Sequence, residues 1–158
     1  MFNYYLFKLL VQFYNYGTPS GNRLYEEALK SLGKDISPND KAPDRLACVE
    51  SVEEVHKNAF GEYIGGGLST IREKTALDNS IKFIRVTKPL KGDIILSVTG
   101  EGNGKVSNGH IGIIGDKTVM SNNSNNGLFE EVYTIQSWKD RWETLGGYPV
   151  YYYRKLIG

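Results

Sequence analysis

The hydrophobic pattern of this chain changes near residue 81, and this change constrains the fold more than any other feature. Before it, apolar residues recur at helical spacing, as in Phe2, Leu6, Leu9, Leu10 and Phe13. After it, short β-branched and aromatic runs alternate with turn residues. Helices followed by strands are typical of an α+β fold rather than of alternating βαβ units. We therefore predict N-terminal helices packed on a C-terminal antiparallel β-sheet.

The same patterns give approximate bounds for the elements. Helices are predicted at 2–14, at 22–32 after the loop 17–21, from Cys48 to about Phe60, and from a capping box formed by Thr70 and Glu73. Strands are predicted at 81–86, 94–98, 110–114, 118–121, 132–135 and 149–154, with a helical turn at 137–142.

Length and composition favour one globular domain. The 158 residues can bury a substantial core, and 40% of them are hydrophobic. We predict an N-terminal aromatic helix and loop at 1–21 and a single domain at 22–158. The net charge of +1 gives no reason to expect nucleic-acid binding.

The apolar segment 2–14 raises the question of targeting. It is too short to span a bilayer, Lys8 interrupts it, and no small-residue cleavage site follows. We therefore predict no membrane span and no signal peptide. The segment is interpreted as a helix that packs on the domain or on a partner protein.

Cys48 is the only cysteine, so it cannot form an internal disulfide. It opens an amphipathic segment, with Pro43 and the predicted N-cap Asp44 just upstream. A thiol in the first helical turn faces unpaired backbone N–H groups and the positive end of the helix dipole. Both favour the thiolate, so the position indicates a nucleophile rather than a buried small hydrophobic group.

A thiol nucleophile needs a base, and the chain has two histidines. His56 follows Cys48 by eight residues on the same predicted helix, which is about 12 Å of rise, whereas proton transfer needs roughly 3 Å. We expect His56 at the surface. His110 begins the apolar strand of Gly109-His110-Ile111-Gly112-Ile113 and remains as the predicted base.

A polar residue must orient the imidazole of His110. The predicted hairpin brings residues 120–124 beside His110, and this segment contains Ser121, Asn122 and Asn123. We favour Asn122, with Asn123 as the alternative, and Ser121 also stays open because the strand register is not fixed. The segment is equally typical of a strand-ending turn with local hydrogen bonds.

The segments Leu46-Ala47-Cys48-Val49-Glu50, Lys91-Gly92-Asp93-Ile94 and Gly109-His110-Ile111-Gly112, in this order, resemble CHAP and NlpC/P60 peptidoglycan hydrolases. Met120-Ser121-Asn122-Asn123, Trp138 and the Tyr-rich last strand are similar to a branch common among phage and prophage proteins. The resemblance covers about residues 22–156 and implies a papain-like fold. It implies Cys48 as the nucleophile, His110 as the base, and Asp93 as a structural residue of the strand entry.

The implied activity is cysteine-dependent hydrolysis of a cell-wall amide bond, in the stem peptide or crosslink or at the lactyl amide. The enzyme would act at the bacterial cell wall from a phage particle or the host cytoplasm, with phage virion or lysis proteins bound through the N-terminal helix. The alternatives are a protein-modifying papain-like amidase and a non-hydrolytic phage structural or adaptor protein. With one cysteine and two separated histidines, no metal site and no cofactor are predicted.

Overall fold

The computed structural model describes residues 3–37 and 47–158. The helices of the N-terminal half are α1 (Tyr4–Tyr16), α2 (Pro19–Ser31), α3 (Cys48–Phe60) and α4 (Thr70–Asn79). The strands are β1 (Phe83–Val86), β2 (Ile94–Ser97), β3 (His110–Ile114), β4 (Val119–Asn122), β5 (Phe129–Tyr133) and β6 (Tyr151–Lys155). A short helix α5 (Ile135–Trp138) continues into a π-helical segment, Lys139–Leu145.

Within the described residues the strands form one antiparallel sheet in the order β1-β6-β2-β3-β4-β5. β6 therefore lies between β1 and β2, although it follows them by several elements in the chain. The predicted α+β architecture, with N-terminal helices on an antiparallel sheet, is confirmed and agrees with a papain-like fold.

The sheet is covered on both faces. Ile111 and Ile113 of β3 face α2 and α3 and share a core with Leu24 and Val52. Ile114 belongs to a second core cluster on the other face, together with Trp138 of α5. Because side chains of a strand alternate between faces, His110 and Gly112 lie on the Trp138 side of β3.

The starts of α2 and α4 differ from the prediction. α2 begins at Pro19, three residues early, because the Thr18 hydroxyl accepts the Gly21 N–H at 2.8 Å and proline suits the first helical position. α4 is capped by Ser69, whose hydroxyl accepts the Arg72 N–H. The predicted Thr70 capping box is wrong, and the Thr70 hydroxyl instead contacts Thr99 at 3.2 Å.

A buried ion pair joins the turn before β2 to the last strand. Arg154 and Asp93 are 0% and 1% exposed, and the guanidinium donates to both carboxylate oxygens, at 2.9 and 2.6 Å. Asp93 also accepts the Leu90 N–H at 2.7 Å, as expected for a residue that shapes the strand entry. Arg154 further donates to the carbonyl oxygens of Phe13 and Tyr14, so the same side chain holds the end of α1.

α1 is attached to the domain mainly through its C-terminal end. No residue of Tyr4–Tyr16 is buried, and large side chains at its start, such as Tyr5 and Phe7, are exposed. The Tyr14 hydroxyl lies 2.8 Å from the Thr87 hydroxyl. Neither α1 nor any other helix in the described part of the chain combines the length and apolar character needed to cross a membrane.

Candidate active site

Cys48 is the first residue of α3, as predicted, and is half-buried. The N-cap is Ala47, whose methyl group offers no hydrogen-bond acceptor to the first N–H groups of the helix. The predicted cap Asp44 and its neighbour Pro43 lie outside the described residues. The sulfur lies near the backbone N–H groups of Cys48 itself, Val49 and Ile111. The contact with the Ile111 N–H places the sulfur beside the residue of β3 that follows His110.

The environment of Cys48 favours the neutral thiol. Burial raises its pKa to about 11, and the nearby backbone N–H groups only partly offset this effect. The negative charge of Glu73 acts in the same direction as burial. The expectation that the helix start would favour the thiolate is therefore wrong for this arrangement, because loss of hydration outweighs the N–H groups.

His110 begins β3, also as predicted. Its Nε2 lies 3.1 Å from the Ser121 hydroxyl oxygen on the neighbouring strand β4. Gly112 makes room for this contact, because a Cβ atom at that position would lie 2.6 Å from Cγ1 of Val119 and 3.2 Å from Cβ of Ser121. The pair His110–Ser121 thus depends on a glycine two residues after the histidine.

The two predicted orienting asparagines lie next to Ser121. Asn122 is 2% exposed, and strand alternation turns it to the face opposite Ser121. The Asn123 amide donates to Glu130 at 2.7 Å. Of the three candidates for orienting His110, the one that contacts Nε2 is Ser121, and the catalytic roles of both asparagines stay predictions.

Aromatic rings enclose His110. Its ring stacks on Trp138 and on Trp142, both with centroids 5.3 Å away, and meets Tyr133 edge-on at 5.9 Å. Both indoles are anchored, since Trp138 donates to the Ser97 hydroxyl and Trp142 to the Asn108 carbonyl. The sequence analysis did not identify Trp142 and Tyr133 as neighbours of His110, because no spacing in the sequence relates the π-helical segment or β5 to His110.

This enclosure decides the charge of the histidine. Burial lowers the pKa of His110 to about 4, and the nearby Arg141 charge acts in the same direction. At neutral pH the site therefore holds a neutral imidazole and a neutral thiol.

Cys48 and His110 line one pocket of about 270 Å³. Its other walls carry uncharged residues: Leu68, Ser69, Thr70, Ile71, Thr99, Asn108 and Gly109. The Thr99 N–H donates to the Thr70 hydroxyl, and the Gly109 N–H donates to the Thr99 hydroxyl, each at 3.0 Å. This chain of hydrogen bonds ties the start of α4 to the residue before His110.

His56 lies apart from this pocket. It is 1% exposed, so the expected surface position is wrong. Its Nδ1 donates to the Glu62 carbonyl at 2.6 Å, and its ring packs on Phe60 and Phe83. It lines a different pocket from Cys48, in agreement with the helical geometry that excluded it as the base. Among the described residues no group of three or more His, Cys, Asp or Glu side chains could hold a metal ion.

No protein-family model matches the chain, and neither does a curated protein sequence. Among solved structures, the chain is similar to one from the type VI native effector–immunity complex Tae3–Tai3 of Ralstonia pickettii. The TM-score is 0.55 at 17% sequence identity, and the match covers 85% of this chain and 98% of the other. The similarity shows a shared fold, and function has to be inferred from the site.

Proposed function

We propose that this protein is a cysteine hydrolase that cleaves an amide bond of peptidoglycan. The observation that carries the proposal is that Cys48 and His110 both line one pocket, and that Nε2 of His110 lies 3.1 Å from the Ser121 hydroxyl oxygen. A nucleophile, a base within the same pocket and a group that orients the base are the parts that acyl transfer requires.

In the proposed reaction, Nε2–H of His110 donates to Ser121, which leaves the lone pair of Nδ1 as the base. Nδ1 takes the thiol proton while the Cys48 sulfur attacks the amide carbonyl. The same proton passes to the leaving amine as the C–N bond breaks, and a thioester on Cys48 remains. Water then attacks the thioester, with Nδ1 again accepting a proton. The C–S bond breaks, the proton passes from Nδ1 to the Cys48 sulfur, and the carboxylic acid leaves.

The start of α3 supplies the proposed oxyanion site. Because Ala47 provides no capping oxygen, the side chain at the N-cap position takes up none of the first backbone N–H groups of the helix. The N–H groups of Cys48 and Val49 already lie close to the sulfur. A carbonyl oxygen that gains charge during the attack would take their hydrogen bonds.

The substrate class rests on the motif resemblance to CHAP and NlpC/P60 hydrolases and on the structural neighbour. That neighbour belongs to an effector–immunity complex, and the pocket shared by Cys48 and His110 supports our proposal that this chain corresponds to the effector. The uncharged pocket walls suit an amide flanked by small uncharged groups. We also propose that the protein acts at the bacterial cell wall, whether a phage or another source delivers it there.

One observation favours a second candidate, a protein that binds a partner without hydrolysis. The start of α1 exposes apolar side chains, with Tyr5 82% and Phe7 53% exposed, and an exposed apolar helix is typical of an interaction surface. The neutral, half-buried thiol is also compatible with a site that has lost turnover.

Digestion of purified peptidoglycan separates the two candidates. Mass spectrometry should detect new amino termini for an endopeptidase or released stem peptides for an amidase. Cys48→Ala and His110→Ala should abolish the products with little change in the melting curve. Ser51→Ala is the matched control, because Ser51 is buried one turn along the same helix and its hydroxyl pairs with no described residue. Products that persist in Cys48→Ala would overturn the assignment.

A further inference from the structure

A second pocket, of about 200 Å³, lies at the C-terminal end of α3, remote from Cys48. We call it the His56–Lys155 pocket; its walls are His56, Glu62, Tyr63, Ile64, Ser80, Lys82, Phe83 and Lys155. α3 runs for thirteen residues from Cys48 to Phe60, so its two ends are about 18 Å apart. The proposed hydrolase chemistry uses none of these groups.

Two buried nitrogen atoms of this pocket have no hydrogen-bond partner among the described residues: Nζ of Lys155 and Nε2 of His56. The residues are 0% and 1% exposed. Buried polar groups in proteins are almost always satisfied, so two such atoms on one cavity indicate a missing partner. The unmet groups are complementary, since one is a donor and the other an acceptor.

The roles of the two atoms follow from their surroundings. Nδ1 of His56 contacts the Glu62 carbonyl oxygen, which can only accept, so Nδ1 carries the proton. Burial and the charge of Lys155 lower the pKa of His56, which keeps the imidazole neutral, and Nε2 therefore presents a lone pair. Glu53 and Glu62, the acidic groups that act on His56, oppose this effect without reversing it.

Lys155 supplies the positive charge. Its Nζ lies 4.5 Å from the ring centroid of Phe60 and 4.7 Å from that of Phe83, and it forms no ion pair with a described carboxylate. Glu62 is instead paired with Lys82 at the edge of the pocket. The charged groups of the pocket wall therefore sum to one net positive charge, carried by the unpaired ammonium.

We propose that the His56–Lys155 pocket binds a phosphate group in its singly protonated form. An anionic phosphate oxygen accepts from Nζ of Lys155, and the P–OH group donates to Nε2 of His56. A carboxylate or a sulfate could meet only the lysine, because neither carries a proton near pH 6. A phosphate monoester has its second pKa near 6, so it retains an O–H at that pH.

Calorimetric titration of the full chain at pH 6 tests the proposal, with inorganic phosphate, glucose 6-phosphate and sulfate as probes. Inorganic phosphate should bind more tightly than sulfate, and equal affinities would overturn the role of His56. Binding of glucose 6-phosphate as well would identify a phosphate monoester as the natural ligand class, and binding of inorganic phosphate alone would identify the free ion. Absence of phosphate binding would overturn the proposal.

Two variants locate the site. Lys155→Met keeps the length and apolar stem of the side chain and should weaken phosphate binding by about 10- to 100-fold, as loss of a charge-assisted hydrogen bond does. Lys30→Met is the matched control, because Lys30 lies on α2 outside the walls of this pocket and pairs with Glu27 at the surface, so affinity should change by less than about fivefold. Unchanged affinity in Lys155→Met would contradict the assignment.

A measurement on the unmodified protein covers the case in which Lys155→Met does not fold. The chain has two histidines, so NMR can follow both imidazoles during the same phosphate titration. The Nε2 signal of His56 should shift with phosphate, and the signals of His110 should not. A shift confined to His110 would place the anion in the Cys48 pocket and overturn the proposal.

Discussion

Removing the carboxylate of the buried pair Asp93–Arg154 should destabilise the protein strongly. In Asp93→Ala the guanidinium of Arg154 would lose two hydrogen bonds, of 2.9 and 2.6 Å, together with its counter-charge. Arg154 is fully buried, so water cannot replace the lost partner without a rearrangement. The Leu90 N–H would also lose its acceptor.

The magnitude follows from this burial. Breaking a buried ion pair by removing one partner costs about 3–5 kcal/mol, because an uncompensated charge remains. In a domain of this length each kcal/mol corresponds to about 2–4 °C, so the melting temperature should fall by about 6–20 °C. The double variant Asp93→Ala/Arg154→Met removes the orphaned charge as well, and it should recover part of the loss.

Urea unfolding followed by tryptophan fluorescence measures this effect, with the slope of the transition as a check that the denatured state is unchanged. Lys139→Ala is the control, since Lys139 and Glu143 form an exposed pair on the π-helical segment and should contribute less than about 1 kcal/mol. Two results would refute the reasoning. One is a loss below about 1 kcal/mol in Asp93→Ala. The other is a loss in the double variant that equals the sum of the losses in Asp93→Ala and in Arg154→Met alone.

Three further predictions concern the site. The rate at which iodoacetamide alkylates Cys48, measured by mass spectrometry, should rise about tenfold per pH unit from pH 6 to 9. A pKa of about 11 leaves only about one thiolate in ten thousand at pH 7. A rate that does not change with pH below about pH 8 would reveal a preformed thiolate. Gly112→Ala should lower the free energy of unfolding by about 1–3 kcal/mol, since its Cβ would press on Val119, and urea unfolding as stable as that of the parent would contradict the crowding. Trp142→Ala should let water reach His110 and raise its pKa from about 4 toward about 6.5, as followed by NMR titration; an unchanged value would show that burial by the indole is not the cause.

Local signals predict much of this structure. The helix of Cys48 ends at Phe60 as expected, because Gly61 adopts the left-handed conformation that ends helices. The strand of His110 has the predicted bounds, since its apolar run is closed by Gly115 and the following turn. Both elements carry the candidate catalytic residues, which explains why those residues could be located from the sequence.

Long-range packing explains what the sequence left open. The partner of His110 depends on the register between β3 and β4, in which Ile113 lies opposite Met120, and no local pattern fixes that register. No local pattern reveals that His56 is covered by Phe83 of a strand far along the chain. The neutral charge state of Cys48 likewise depends on tertiary burial, which overrides the local effect of the helix start.

The place of β6 between β1 and β2 has a consequence for the order of assembly during synthesis. β1 and β2 emerge from the ribosome early, yet they pair with β6 rather than with each other. Until Tyr151–Lys155 have emerged, the sheet remains divided, and Arg154 is not yet present to secure Asp93. We therefore expect the nascent chain to stay incompletely folded until β6 closes this gap, so that a working site forms only after translation has passed that strand.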